Sequence, residues 1–337
     1  MHVKKENTYS SHPNVLFGKT GVLIINLGTP DSLNWFAIRR YLKEFLSDRR
    51  VIEVNRILWF LILHLIILNV RPAKTAAAYK EIWMKEPNKS PLRYYTELQK
   101  NKIAKNFGSG NIIIEHAMRY GNPSIKERIA SLKDKGCEKL IILPLYPQYS
   151  AATTASVCDE VYRTLLKIRW QPSLQVIPHY ESDPLYIDAL ANTVKDKLDE
   201  LSWRPDIIIA SYHGIPKRYF DSGDPYHCYC MKTTRLLEER LNLRIPMKTS
   251  FQSRFGPEEW LQPYTEETLS NLKGKNIMII CPGFSSDCIE TLEEIKIRGK
   301  ELFKSNGGKQ FCYIPCLNDN KDHIKLLSTL IKKHIIP

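Results

Sequence analysis

Two polar clusters, each set just past a short apolar run, hold the residues of this chain best suited to chemistry. The first is D-I-I-I-A-S-Y-H-G-I-P, Asp206 to Pro216. Its β-branched run Ile207–Ile209 is short enough for a strand buried on both faces, and Pro216 stops it. His213 then sits at the carboxyl end of a parallel strand, where open α/β sheets bind their ligands. A neutral imidazole there can accept a proton near neutral pH or ligate a transition metal. The plainer alternative is a turn histidine that satisfies one hydrogen bond. The second cluster is N-I-M-I-I-C-P-G-F-S-S-D-C-I-E-T-L-E-E, Asn276 to Glu294, where Ile277–Ile280 again reads as a buried strand stopped by Pro282 and Gly283. Asp287, Glu290 and Glu294 follow at offsets of three and four, which places them on one face of a helix. Such a row either favours the positive end of the helix dipole or forms an acidic ladder that guides a hard cation and carries protons.

The elements that position these clusters repeat along the chain. Gly21–Asn26 is a first buried strand, ended by Leu27-Gly28-Thr29-Pro30, and it lacks the G-x-G-x-x-G pattern of a dinucleotide site. After the punctuation Asn88-Lys89-Ser90-Pro91-Leu92, a helix to about Asn106, a strand Ile112–Ala117, a helix over 124–136 and a strand Lys139–Leu143 follow. G-V-L-I-I-N-L-G is echoed by D-I-I-I-A-S-Y-H-G, and the strand before Arg119-Tyr120-Gly121 by K-T-S-F-Q-S-R-F-G at 248–256. Gly28 to Arg119 spans 91 positions and Gly214 to Arg254 spans 40, so the first half carries 51 extra. The expected fold is α/β, with two similar Rossmann-like domains, each a parallel sheet flanked by helices, and an active-site cleft between them. The N-terminal domain is placed at 20–150 plus 318–337, the C-terminal one at 151–317. Right-handed crossovers bring the strand ends to one edge of each sheet, so Leu27 and Arg119 meet His213 and Glu290 across the cleft.

The extra segment contains L-W-F-L-I-L-H-L-I-I-L, Leu58 to Leu68. Eleven apolar residues fall short of the ~20 that span a bilayer. Flanked by Arg49, Arg50 and Arg56 before and Arg71 and Lys74 after, the run reads either as a buried core helix or as a lip, over about 50–72, resting on an anionic membrane. The net charge of +13 over 337 residues asks for an anionic partner. No dense basic helix or zinc-finger spacing points to nucleic acid, so a membrane surface and an acidic small molecule fit better. Met1 to Lys19 is polar, reads as a loose arm and lacks a secretory signal. With eight cysteines, the expectation is free thiols in the cytoplasm.

S-Y-H-G-I-P, the G-D-P-Y at 223–226 and F-S-S-D-C-I-E-T-L resemble ferrochelatase, in order and from about Gly21 to the last helix. The resemblance implies a lyase that inserts Fe2+ into protoporphyrin IX to form protoheme, with release of two protons. His213 and Glu290 would be catalytic. Leu27, Arg119, Tyr120 and Phe284 would hold the ring, and His213, Glu290, Asp287 and Glu294 would contact the metal. Iron is then a substrate and no cofactor is required. A membrane-facing lip at the pocket mouth, peripheral attachment to the inner face of the plasma membrane and contacts with other heme-pathway enzymes follow in the same way, as does a last helix returning to the first domain. Many members have histidine where this chain has Cys288, which leaves Glu290 as the stronger candidate. Some hold a [2Fe-2S] cluster. Here Cys228 and Cys230, Cys312 and Cys316, and Cys281 and Cys288 are scattered, no cysteine-rich tail follows, and Ala151-Ala152 stands where cluster-bearing animal relatives have a cysteine. A chelatase for another tetrapyrrole such as coproporphyrin, and a non-catalytic heme carrier, are the rival functions. A carrier has no use for an acidic ladder.

Overall fold

Ile and Leu dominate the central strands, and the structure, a computed structural model describing residues 16–108 and 110–335, buries them on both faces. β1 (Lys19–Gly28) lies between β2 (Ile112–Tyr120) and β3 (Cys137–Pro144), with β4 (Ser173–Val176) outside β3; all pair in parallel. The second sheet repeats the pattern: β5 (Ile207–His213) lies between β6 (Met247–Gln252) and β7 (Ile277–Ile280), with β8 (Phe311–Tyr313) outside β7. The strand orders β2-β1-β3-β4 and β6-β5-β7-β8 are the same path traced twice. Helices flank both sheets, as the internal echo predicts.

The register explains why the turns are built as they are. Gly28 ends β1 opposite Tyr120, and His213 ends β5 opposite Gln252. Gly28 has a φ of 115°, and a Cβ there would lie 1.8 Å from the Tyr120 carbonyl oxygen, so only glycine fits. Most of the arm expected over Met1–Lys19 lies outside the described residues.

One boundary differs from the sequence reading. The first domain does not end at 150, because 173–176 supplies the fourth strand of the first sheet. The helix Lys321–Ile335 contacts elements of the first sheet's layer, where Asn106 Nδ2 donates to Ser328 Oγ at 2.9 Å and Lys139 Nζ donates to the His334 carbonyl at 3.1 Å. It also packs on the helix Pro184–Glu200, with Asn192 donating to Asp322 at 2.8 Å. As a result one buried cluster runs from Val22, Ile24 and Ile141 of the first sheet through Leu190, Leu327 and Ile331 to Ile208 and Met278 of the second.

The apolar run is part of a longer element. Arg56–Ile82 forms one 27-residue helix, with Ile62–Ile67 wound as a π-helix, and by length and composition it is apolar enough to cross a membrane. Asn55 caps it by accepting from the Ile57 and Leu58 amides at 3.1 and 3.2 Å. Pro72 lies inside it and cannot bond the Leu68 carbonyl, which instead accepts from Arg39 Nε at 3.2 Å. Leu63 and Leu68 pin the helix to a cluster containing Ile38, Tyr41, Tyr79 and Tyr120, while Ile57, Phe60, Leu61, Leu65, Ile66 and Val70 face outward.

Candidate active site

His213 is fixed by its own turn. Its Nδ1 donates to the Gly214 carbonyl at 2.6 Å, so the neutral ring carries its proton on Nδ1 and leaves Nε2 with a free lone pair. The imidazole is partly buried between Trp260 and Phe284, each with its ring centroid 6.5 Å away. Phe284 in turn packs with Leu27 against Leu92, Met118 and Cys288. This chain of contacts joins the end of β5 to the end of β1 across the cleft.

The acidic segment reaches the same place. Cys288 caps a short helix, Ile289–Thr291, which passes directly into the π-helix Leu292–Gly299; π turns recur at functional sites. Glu290 and Glu294 lie one turn apart on it. Glu294 accepts from the Ser253 amide at 2.7 Å and the Ser253 hydroxyl at 2.6 Å. Burial raises its pKa, and the charge of Glu290 adds to the rise, against Ser253 and His213, which lower it. Glu290 borders a narrow, closely packed seam lined by Leu27, Gly28, Tyr41, Tyr79, Leu92, Cys288 and Ile289. Burial and then the charge of Glu290 push the Tyr79 phenol well above its ordinary pKa, and Tyr41 responds to burial, Tyr79 and Glu290 in the same direction. Burial likewise keeps the Cys288 thiol protonated.

Two of the expected site residues turn away. Asp287 precedes the helix instead of riding on it. Its carboxylate accepts from Asn318 Nδ2 at 2.7 Å, from Thr291 Oγ1 at 3.2 Å and from the Tyr313 hydroxyl, all buried, so it does not join the ladder. Arg119 is also buried, and its charge is met by Asp48. Its Nε donates to the Ser156 carbonyl at 2.9 Å and hydroxyl at 2.7 Å, and Tyr120 donates to Asp48 at 2.7 Å. Burial alone would raise the pKa of Asp48, yet the hydrogen bond from Ser156 and the Arg119 charge hold it below the usual carboxylate range. Arg119 and Tyr120 therefore form a fixed wall, with no free guanidinium to clasp a carboxylate. Among the described residues, no group of three or more His, Cys, Asp and Glu side chains is assembled to hold a metal ion.

Sequence reasoning missed Gln252 and Ser253, which bind the acidic helix, and Tyr41, Tyr79 and Trp260, which wall the cleft. The lip helix also reaches the second half. Arg71 lies 5.9 Å from the Phe255 ring, which packs on Trp260 with centroids 4.9 Å apart.

The ferrochelatase family model matches residues 19–335. The chain belongs to the ferrochelatase family. It is 53% identical to the ferrochelatase of Allorhizobium ampelinum over 97% of this chain and 96% of that protein. Identity to the Rhizobium meliloti ferrochelatase is 51%, over 97% and 98%, and to the Brucella ovis ferrochelatase 49%, over 96% and 94%. Among solved structures it is similar to SirB from Bacillus subtilis with Fe3+, with a TM-score of 0.59 and 12% identity over 94% of this chain and 95% of that one. At that identity the likeness concerns the two-domain fold. Ferrochelatases are lyases, and this chain is an enzyme of that class.

Proposed function

We infer that the protein inserts Fe2+ into protoporphyrin IX, releasing two protons to give protoheme. The observation that carries this reading is the pairing of an imidazole whose Nε2 lone pair is free with the carboxylates of Glu290 and Glu294, all at the strand ends of one cleft. Removing pyrrole protons requires bases near neutral pH, and delivering a hard cation requires oxygen ligands. His213 suits the first task and Glu290 both. Glu294, held at both oxygens by Ser253, adds a second carboxyl one turn further along.

The wall made by Leu27, Leu92, Ile289 and Phe284 is apolar and favours a ring with few carboxylates, which supports protoporphyrin over coproporphyrin. The outward face of Arg56–Ile82, bordered by Arg56, Arg71 and Lys74, supports peripheral attachment to an anionic inner membrane surface. Catalysis without a [2Fe-2S] cluster is supported by the placement of Cys228 and Cys230, the first exposed and the second fully buried on one helix.

Anaerobic incubation with Fe2+ and each porphyrin, followed by absorption spectra, tests the assignment. Conversion of protoporphyrin IX to heme in preference to coproporphyrin is expected. Stoichiometric binding of heme without turnover would instead identify a carrier.

A further inference from the structure

The turn that ends β6 touches every arm of the site. The Gln252 carbonyl accepts from the Gly214 amide at 2.8 Å, which fixes the turn that orients His213. Its side-chain Nε2 donates to the Glu290 carbonyl at 2.7 Å, which fixes the start of the acidic helix. Its Oε1 accepts from the Ser211 hydroxyl at 2.7 Å. A carbonyl at one end and a hydroxyl donor at the other leave a single orientation for this amide, which is buried. The next residue, Ser253, binds both oxygens of Glu294.

Ser253 does so in a conformation that serine rarely adopts. Its φ is 66°, in the left-handed region that glycine enters freely. That conformation aims the backbone amide and the hydroxyl of one residue at the same carboxylate. A turn under packing demands alone would hold glycine here with less strain. Beyond its Cβ the serine adds a hydroxyl, and that hydroxyl donates to the Glu294 carboxylate.

We infer that Gln252 and Ser253 are the positioning residues of this site. They set the spacing between the His213 imidazole on one side and Glu290 and Glu294 on the other. The inference deepens the iron-insertion reading and rests on it. It predicts that a change at Ser253 leaves ring binding and the fold intact but loosens the geometry in which protons and iron are exchanged, an effect confined to turnover.

Ser253→Gly tests this directly, because glycine keeps the amide donor, relieves the left-handed backbone and removes the hydroxymethyl group whose hydroxyl binds Glu294. Steady-state insertion of Fe2+ into protoporphyrin IX and the melting temperature are measured on parent and variant together. The expected result is a kcat lower by ~10-fold, with an unchanged porphyrin KM and a melting temperature equal to or above that of the parent. Parental kcat in the variant, or a raised KM at parental kcat, would overturn the positioning role while leaving the iron-insertion reading in place. A lower melting temperature with normal turnover per folded molecule would overturn it equally. An inactive parent overturns both.

Discussion

His213 Nδ1 donates to the carbonyl of its neighbour Gly214, a contact of 2.6 Å that settles which ring nitrogen faces the cleft. His213→Ala removes the free Nε2 while leaving Phe284, Leu27 and Trp260 in place to hold a ring. Porphyrin binding is expected to survive and insertion to fall by ~10²-fold or more, the scale of a lost acid–base group. Fluorescence titration with porphyrin and turnover on the same preparation check both halves. Normal turnover with a lower melting temperature would reduce His213 to a structural residue.

Glu290→Gln keeps the shape of the seam beside Tyr41 and Tyr79 but removes its charge. Turnover should collapse at unchanged porphyrin affinity, the pattern of an interaction made in the transition state. Glu294→Gln should do less, because Ser253 can still bond the amide oxygen. Equal losses in the two variants would show that the pair acts as one unit.

The lip prediction uses residues that face outward. Leu61→Ser with Leu65→Ser removes two exposed side chains, 48% and 68% accessible, and spares the buried Leu63 and Leu68. Each should cost about 1–2 kcal/mol of partitioning onto vesicles containing anionic lipid, with little change in melting temperature. Unchanged sedimentation with vesicles would show that the face meets no membrane.

Stability should fall in mild acid. His116 and His323 are buried, and burial lowers each pKa from 6.5 to about 4. Between those values the unfolded chain binds the extra protons, so stability is complete above pH 6.5 and is lost as the pH falls towards 4, by up to about 3 kcal/mol per histidine. Urea midpoints at pH 7 and pH 5 measure the slope, and His116→Phe should remove about half of it. A pH-independent midpoint would mean that both rings titrate in the folded protein as they do in the unfolded chain.

Much of the frame was legible because it depends on local pattern. Ile207–Ile209 and Ile277–Ile280 are apolar runs cut by Pro and Gly, and such runs form buried strands wherever they fall. β4 was not legible, since S-L-Q-V is short, half polar and defined only by its pairing with β3. Asp287 shows the limit of spacing arguments. An offset of three places it beside Glu290 only if the helix has already begun, and Cys288 starts it one residue too late. Arg119 shows a second limit, because its partner Asp48 lies 71 residues away. The segment holding Gln252 and Ser253 echoes the first half through Arg254, yet Arg254 lies over the Tyr264 ring, 4.2 Å from its centroid, and the two residues before it make the contacts.

The buried cluster running from Val22 through Leu327 to Met278 gives the duplicated architecture a thermodynamic consequence. Two copies of one strand order would ordinarily be separable modules, each able to melt alone. Here the helices Pro184–Glu200 and Lys321–Ile335 lend apolar surface to both, so neither half can keep its interior dry without the other. The chain should therefore melt in a single cooperative transition, and neither half cut out on its own should hold its fold.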